Sequence, residues 1–137
     1  MNAVIEMHDS KCIAIELDEK GRGCVLLDAY VHRGDGYPLV SPHEGGVQRI
    51  RINVEGMTKQ GAVGDLPADV YEGSLIVGTD MQDNIVRFPA VYREPVRLSM
   101  MLSDDARVVV VSGNGPSVDP EGEFRFVETV DFSSHKG

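Results

Sequence analysis

Residues 8–32, HDSKCIAIELDEKGRGCVLLDAYVH, decide the fold class. Ile13, Ile15 and Leu17 alternate with Cys12, Ala14 and Glu16, and after a polar break Val25, Leu27, Ala29 and Val31 alternate with Cys24, Leu26, Asp28 and Tyr30. A period of two marks a strand with one face on a core. The break, Asp18-Glu19-Lys20-Gly21-Arg22, has the charge and the glycine of a hairpin loop. Keeping both apolar faces together pairs Ile15 with Val25 and Ile13 with Leu27. Cys12 then falls opposite Asp28 and Cys24 opposite Glu16. The cysteines are thereby separated by roughly 13 Å along the ladder, beyond the ~7 Å that a disulfide tolerates. Two free thiols are expected, in a reducing compartment.

Outward from the hairpin the same signal recurs. VQRIRINV (47–54) puts Ile50, Ile52 and Val54 on one face and Arg49, Arg51 and Asn53 on the other. Short strands are expected at 74–77, 85–88, 90–93, 96–102 and 106–113, the last apolar on both faces over 108–111. A final strand, 123–132, turns Phe124, Phe126, Val130 and Phe132 inward. The Gly- and Pro-rich segments 32–46 and 113–122 read as long loops, and 55–72 as loop with one helical turn near 68–71. About eight short strands with no helical periodicity predict a single all-β domain over residues 1–137. A two-sheet antiparallel sandwich of jelly-roll type is favoured over a closed small barrel.

Bulk chemistry narrows the partners. Thirteen basic and 22 acidic residues leave a net charge of −9, a field that repels phosphate backbones and anionic membrane surfaces. Neither a nucleic-acid nor a membrane partner is expected. No apolar run approaches the ~18 residues of a membrane span, and no basic segment leads into an apolar one at the N-terminus. The expectation is a cytoplasmic protein.

Chemistry-bearing motifs are sparse. The four histidines, His8, His32, His43 and His135, show no pair at metal-ligand spacing. Metal binding by His8, Asp9 and His43 would need proximity in the fold, and neither Asp80, Asp83 and Asn84 nor Asp104 and Asp105 match a calcium loop. No metal or cofactor is expected. His8-Asp9-Ser10 supplies three triad residue types, but neighbours on a strand point to opposite faces. There is no Gly-rich phosphate loop. With no Trp and 6% aromatic residues, a stacking platform for sugars is lacking.

Two constellations remain. Glu128 falls in register with the apolar residues of the last strand, so it is either a buried carboxylate that must pair or carry a raised pKa, or it is turned outward by a bulge near Val127. Asp28, Tyr30, His32, Arg49 and Arg51 share one polar face if residues 24–32 and 47–55 are adjacent strands. These six residues are the candidate ligand-binding set.

The segments His8-Asp9-Ser10, LLDAYVH, VQRIRINVEG and GEFRFVETV resemble a small uncharacterised family of bacterial β-sandwich proteins, similar in outline to galactose-binding-like jelly rolls. The resemblance implies a sandwich in a bacterial cytosol and carries no catalytic residue. The combined expectation is a non-enzymatic module for a protein partner or small polar ligand, self-associated as a homodimer through an open face or edge. The alternative is a hydrolase or lyase with Glu128 as acid/base, assisted by His8 or His43.

Overall fold

The structure is a computed structural model that describes residues 2–36, 39–61, 63–102 and 107–131. Phe132, Asp104, Asp105 and His135, named above, lie outside the described residues. The chain is all-β, as the alternation predicts. Its strands are β1 (Asn2–Leu17), β2 (Gly23–Gly34), β3 (His43–Gln60), β4 (Ala68–Val77), β5 (Asp80–Asp83), β6 (Ile85–Phe88), β7 (Ala90–Val91), β8 (Pro95–Leu102), β9 (Arg107–Pro120) and β10 (Arg125–Val130).

The architecture differs from the favoured sandwich. Antiparallel pairing runs β3-β2-β1-β4-β8-β9, and β9 returns to β3, closing a six-stranded barrel. The short strands are additions: β5 on β4, β6 on β1, β7 on β9 and β10 on β3. Closure removes the edges that a sandwich would have to protect. Its interior is filled by alternating apolar residues, among them Ile5, Val25, Leu27, Ala29, Val31, Ile50, Ile52, Leu75, Leu98 and Val118, all fully buried.

The opening hairpin forms, but the inward face expected of its first strand is corrected: Ile13 and Ile15 are only partly buried and Leu17, at the hairpin end, is 59% exposed. Asp18 Oδ1 accepts the backbone N–H groups of Lys20 at 2.8 Å and Arg22 at 2.9 Å, closing the loop. The inward face of β2 and the 50/52/54 face of β3 are those predicted, and Asp28 pairs directly with Arg49 across the β2–β3 ladder. Both cysteines are free, and Cys24 lies opposite Glu16. Cys12 lies opposite Leu27 rather than Asp28, because a bulge between Cys12 and Ala14 shifts the register by one and turns Cys12 into the core.

Several expected loops are strand. Residues 32–34 and 43–46 extend β2 and β3, shrinking the long loop to 35–42. The 55–72 segment is partly β3 and partly β4, and 68–71 is strand rather than helix. GNGPSVDP belongs to β9, which continues to Pro120. Its glycines mark a close crossing rather than a turn: a Cβ on Gly113 would stand 2.3 Å from Val54 Cγ1, where β3 and β9 bend across each other with slipped register. Glycine in a strand interior marks such an approach.

The inward face assigned to the last strand is also corrected. Phe126 is 55% exposed and Glu128 is exposed; β10 is not part of the closed ring but extends the sheet beside β3 residues 43–47. Among the described residues of that face, Phe124, just before the strand, packs against the core.

Candidate functional site

One irregularity in β1 builds the site. From Glu6 to Lys11 the strand takes five steps while β2 takes two, from Tyr30 to Asp28, an excess of three residues. Within this bulge Met7 drops into the core, while His8 and Asp9 both face solvent. Strict alternation forbids that, and the bulge supplies it. Ser10 repairs the ladder: its buried hydroxyl donates to the Glu6 carbonyl at 2.8 Å and accepts the Tyr30 N–H at 3.1 Å. It is a structural residue rather than a nucleophile.

Asn84, in the left-handed region with φ 62° between β5 and β6, fastens the bulge from outside. Its carbonyl accepts the Met7 N–H at 2.7 Å, and its side-chain Oδ1 accepts the His8 N–H at 2.9 Å. That leaves the Asn84 amide NH₂ facing His8 Nδ1 at 2.7 Å. His8 Nδ1 is therefore an acceptor, and its ring proton sits on Nε2.

The outer face of β1, β2, β3 and β10 then carries a continuous polar network. His8 Nε2 lies 3.3 Å from Glu6 Oε1 and 3.4 Å from Asp9 Oδ2. Glu6 Oε2 lies 2.9 Å from His32 Nε2, and His32 Nδ1 lies 3.0 Å from Nε2 of the buried His43. The Tyr30 ring meets the His32 ring edge-on, centroids 5.1 Å apart, and its hydroxyl donates to Glu128 Oε1 at 2.5 Å. Two glycines make room for this layer. A Cβ on Gly45 would stand 2.5 Å from the Tyr30 oxygen, and one on Gly34 would stand 2.9 Å from His43 Cβ. The bare backbone at these positions lets the two rings lie across it.

Charges respond to the crowding. Burial and then the neighbouring Glu6 carboxylate push the Asp9 carboxyl above its ordinary value, with His8 and His32 opposing. Burial, the Glu128 hydrogen bond and the Glu128 charge raise the Tyr30 phenol. His43 is lowered by burial and by the His32 charge, against a backbone hydrogen bond with Val40.

Ligand atoms of Glu6, His8 and Asp9 lie within 4.8 Å of one another, a spacing a metal ion could use. The hydrogen bonding fits protons better. A metal needs the lone pair of His8 Nε2, and Asn84 places the proton on that atom.

Of the six residues expected at the site, Tyr30, His32 and Glu128 meet in this network, and Glu128 is turned outward by a bulge between Phe126 and Glu128. Asp28 and Arg49 form their own ion pair at 2.5 Å further along the same face. Arg51 is remote. It pairs with Glu121 at 2.7 Å and contacts Cys24 Sγ at 3.3 Å, beside a separate depression of about 340 Å³. Sequence reasoning missed Glu6 and named His43 and Asn84 only in other candidate groupings; all three reach the site through the bulge and the β2–β3 register. Beside the network a groove of about 490 Å³ is lined by His8, Asp9, Lys11, Asp28, Asp69 and Tyr71, among others. Comparison of the chain with known protein families, with characterised proteins and with solved structures finds no match.

Proposed function

We propose that this protein is a non-enzymatic binding module that takes a cationic group of a small polar ligand or of a protein partner. The observation that carries the reading is the groove beside the bulge, where Asp9, Asp28 and Asp69 converge with Lys11 and Arg49 as the nearby cations. Aromatic Tyr71 borders the same space, and aromatic rings attract ammonium and guanidinium groups. The acidic field of the whole chain steers such ligands toward it.

The acid/base alternative has weaker support, since Glu128 stands on an exposed strand and accepts a hydrogen bond from Tyr30. Most of the other candidate polar residues are already satisfied by one another, which suits a preorganised recognition surface. Self-association through β10, where Phe126 and Val127 are both more than half exposed, is the form of homodimer this reading favours. The jelly-roll sandwich and its galactose-binding likeness play no part in it, and a cytoplasmic setting is retained on the strength of the free thiols alone.

The test is thermal stability of the purified protein with putrescine, agmatine and lysine-rich peptides, against acetate and sugars as controls. A ligand at about 100 times its Kd adds roughly 2.7 kcal/mol, a rise of several degrees. The amines should shift the wild type, less so in high salt, and Asp69→Asn should weaken the shift. Stabilisation by anions or sugars but not by amines would refute the reading.

A further inference from the structure

β10 is built like a strand with half of its sheet missing. It ends the strand order beyond β3, so one of its edges meets no other strand among the described residues. From Arg125 to Thr129 every residue is exposed, so both faces of the strand are wet. Phe126 and Val127, neighbours in sequence, are 55% and 56% exposed. A bare edge of this kind is a template for another strand, and Arg125–Val130 carries no proline or lysine to turn one away.

The charges say which strand fits. Across the β3 ladder Arg125 lies opposite Val47 and Glu128 opposite Gly45. Val47 lines the outer groove, and Glu128 reaches Tyr30 on that same outer face. Residues three apart in a regular strand point to opposite sides. The bulge between Phe126 and Glu128 cancels that rule and brings Arg125 and Glu128 to one side. Tyr30 occupies Glu128 Oε1, and neither Oε2 nor the Arg125 guanidinium is held in an ion pair among the described residues. The free edge therefore offers a cation and an anion side by side, in that order.

We propose that two copies of this chain join edge to edge through β10, antiparallel, in the register that sets Arg125 of each copy opposite Glu128 of the other. A two-fold axis makes that contact twice, and Phe126 and Val127 of the two copies meet at its centre. Directly opposed side chains have Cβ atoms about 5 Å apart, within reach of a guanidinium and a carboxylate. Two chains of net charge −9 repel at long range, so the contact needs a local cation, and Arg125 supplies one to each side. The dimer rests on the self-association proposed above and not on the groove. Loss of the amine response would leave it standing.

Sedimentation velocity and native mass spectrometry decide the matter. The wild type should be a dimer at micromolar concentration. Arg125→Glu and Glu128→Arg each turn two attractive contacts repulsive and should raise the dimer Kd about tenfold or more. Mixed in equal amounts, the two variants should form a one-to-one heterodimer, because every charge across the axis again meets its opposite. The double reversal should restore the homodimer. Glu128→Arg also loses the Tyr30 hydrogen bond, so circular dichroism melts check the fold of each variant. Should one fold poorly, amide exchange of the wild type gives a second reading: protection of 125–130 should fall on dilution while the rest of the barrel holds. A wild type that is monomeric throughout would overturn the proposal and leave the edge to a strand of another protein. Variants that dimerise as tightly as the wild type, a mixture that forms no heterodimer, or exchange at 125–130 that ignores dilution would overturn it equally.

Discussion

Replacing Gly45 with alanine isolates the layer of side chains that lies over β3. Gly45 has no positive φ, so alanine meets no backbone strain there. In a strand interior the exchange alone is worth about 0.5–1 kcal/mol in favour of alanine. Against that gain, the new Cβ would sit 2.5 Å from the Tyr30 oxygen and 3.1 Å from Val130 Cγ2. Tyr30 must swing away, giving up its hydrogen bond to Glu128 and its edge contact with His32. A hydrogen bond to a charged acceptor contributes ~1.5–3 kcal/mol when well buried, and here about 1–2 because Glu128 is exposed. The ring contact adds about 0.5 kcal/mol. The balance is a net loss of about 1 kcal/mol, or a fall of some 3–4 °C in Tm for a domain of this length. A double-mutant cycle with Tyr30→Phe, read by urea denaturation, tests the cause. With the oxygen gone, the nearest ring atom is Cζ at 3.2 Å, which a small tilt accommodates. Gly45→Ala should then cost nothing or stabilise. Additivity of the two substitutions within about 0.5 kcal/mol would refute this account of the glycine.

Two further outcomes test the electrostatics. Because the folded protein raises the Asp9 carboxyl, first by burial and then through Glu6, Asp9 contributes stability in its protonated form below its unfolded value, and that contribution is lost as pH rises through the folded value. Asp9→Asn should therefore raise Tm at pH 7 and leave it unchanged near pH 3, by a few tenths of a kcal/mol, since the side chain is half exposed and screened; an equal shift at both pH values would argue against charge as the cause. Burial pushes the Cys12 thiol up to about 11 and also raises Cys24 despite the nearby Arg51. Native protein at pH 8 should resist an aromatic disulfide reagent at Cys12 until it is unfolded, as followed by mass spectrometry, and rapid native labelling of Cys12 would contradict its position in the core.

What could be read in advance divides along physical lines. The faces of β2 and of 47–54 were legible because a wall with one wet side imposes a period of two, and the adjacency of Asp28 and Arg49 follows from those faces. Barrel closure was not legible. It depends on β9 running on through Gly113, Gly115 and Pro116, residues whose local preference is for turns and whose role here is to let two bent strands cross. Glu128 sat between two readings, and a bulge near Val127 decided for solvent. The core of the candidate site was hidden for a related reason. Glu6, His8 and Asp9 share a face only because β1 departs from alternation, and nothing in HDS announces that residues 7–10 drop out of the ladder. Tertiary partners such as Asn84, remote in sequence, hold that departure in place.

The bulge in β1 has an implication for how the protein changes over generations. Its four residues, Met7 to Ser10, have no partner on β2, so their identity is decoupled from the register of the wall on either side. His8 and Asp9 can be exchanged for other side chains, altering the chemistry that lines the groove, while Met7 and Ser10 keep the interior filled and the ladder bridged. Innovation and foldability are divided between the two middle and the two outer residues of one short segment, so the surface can acquire new chemistry at little risk to the barrel beneath it.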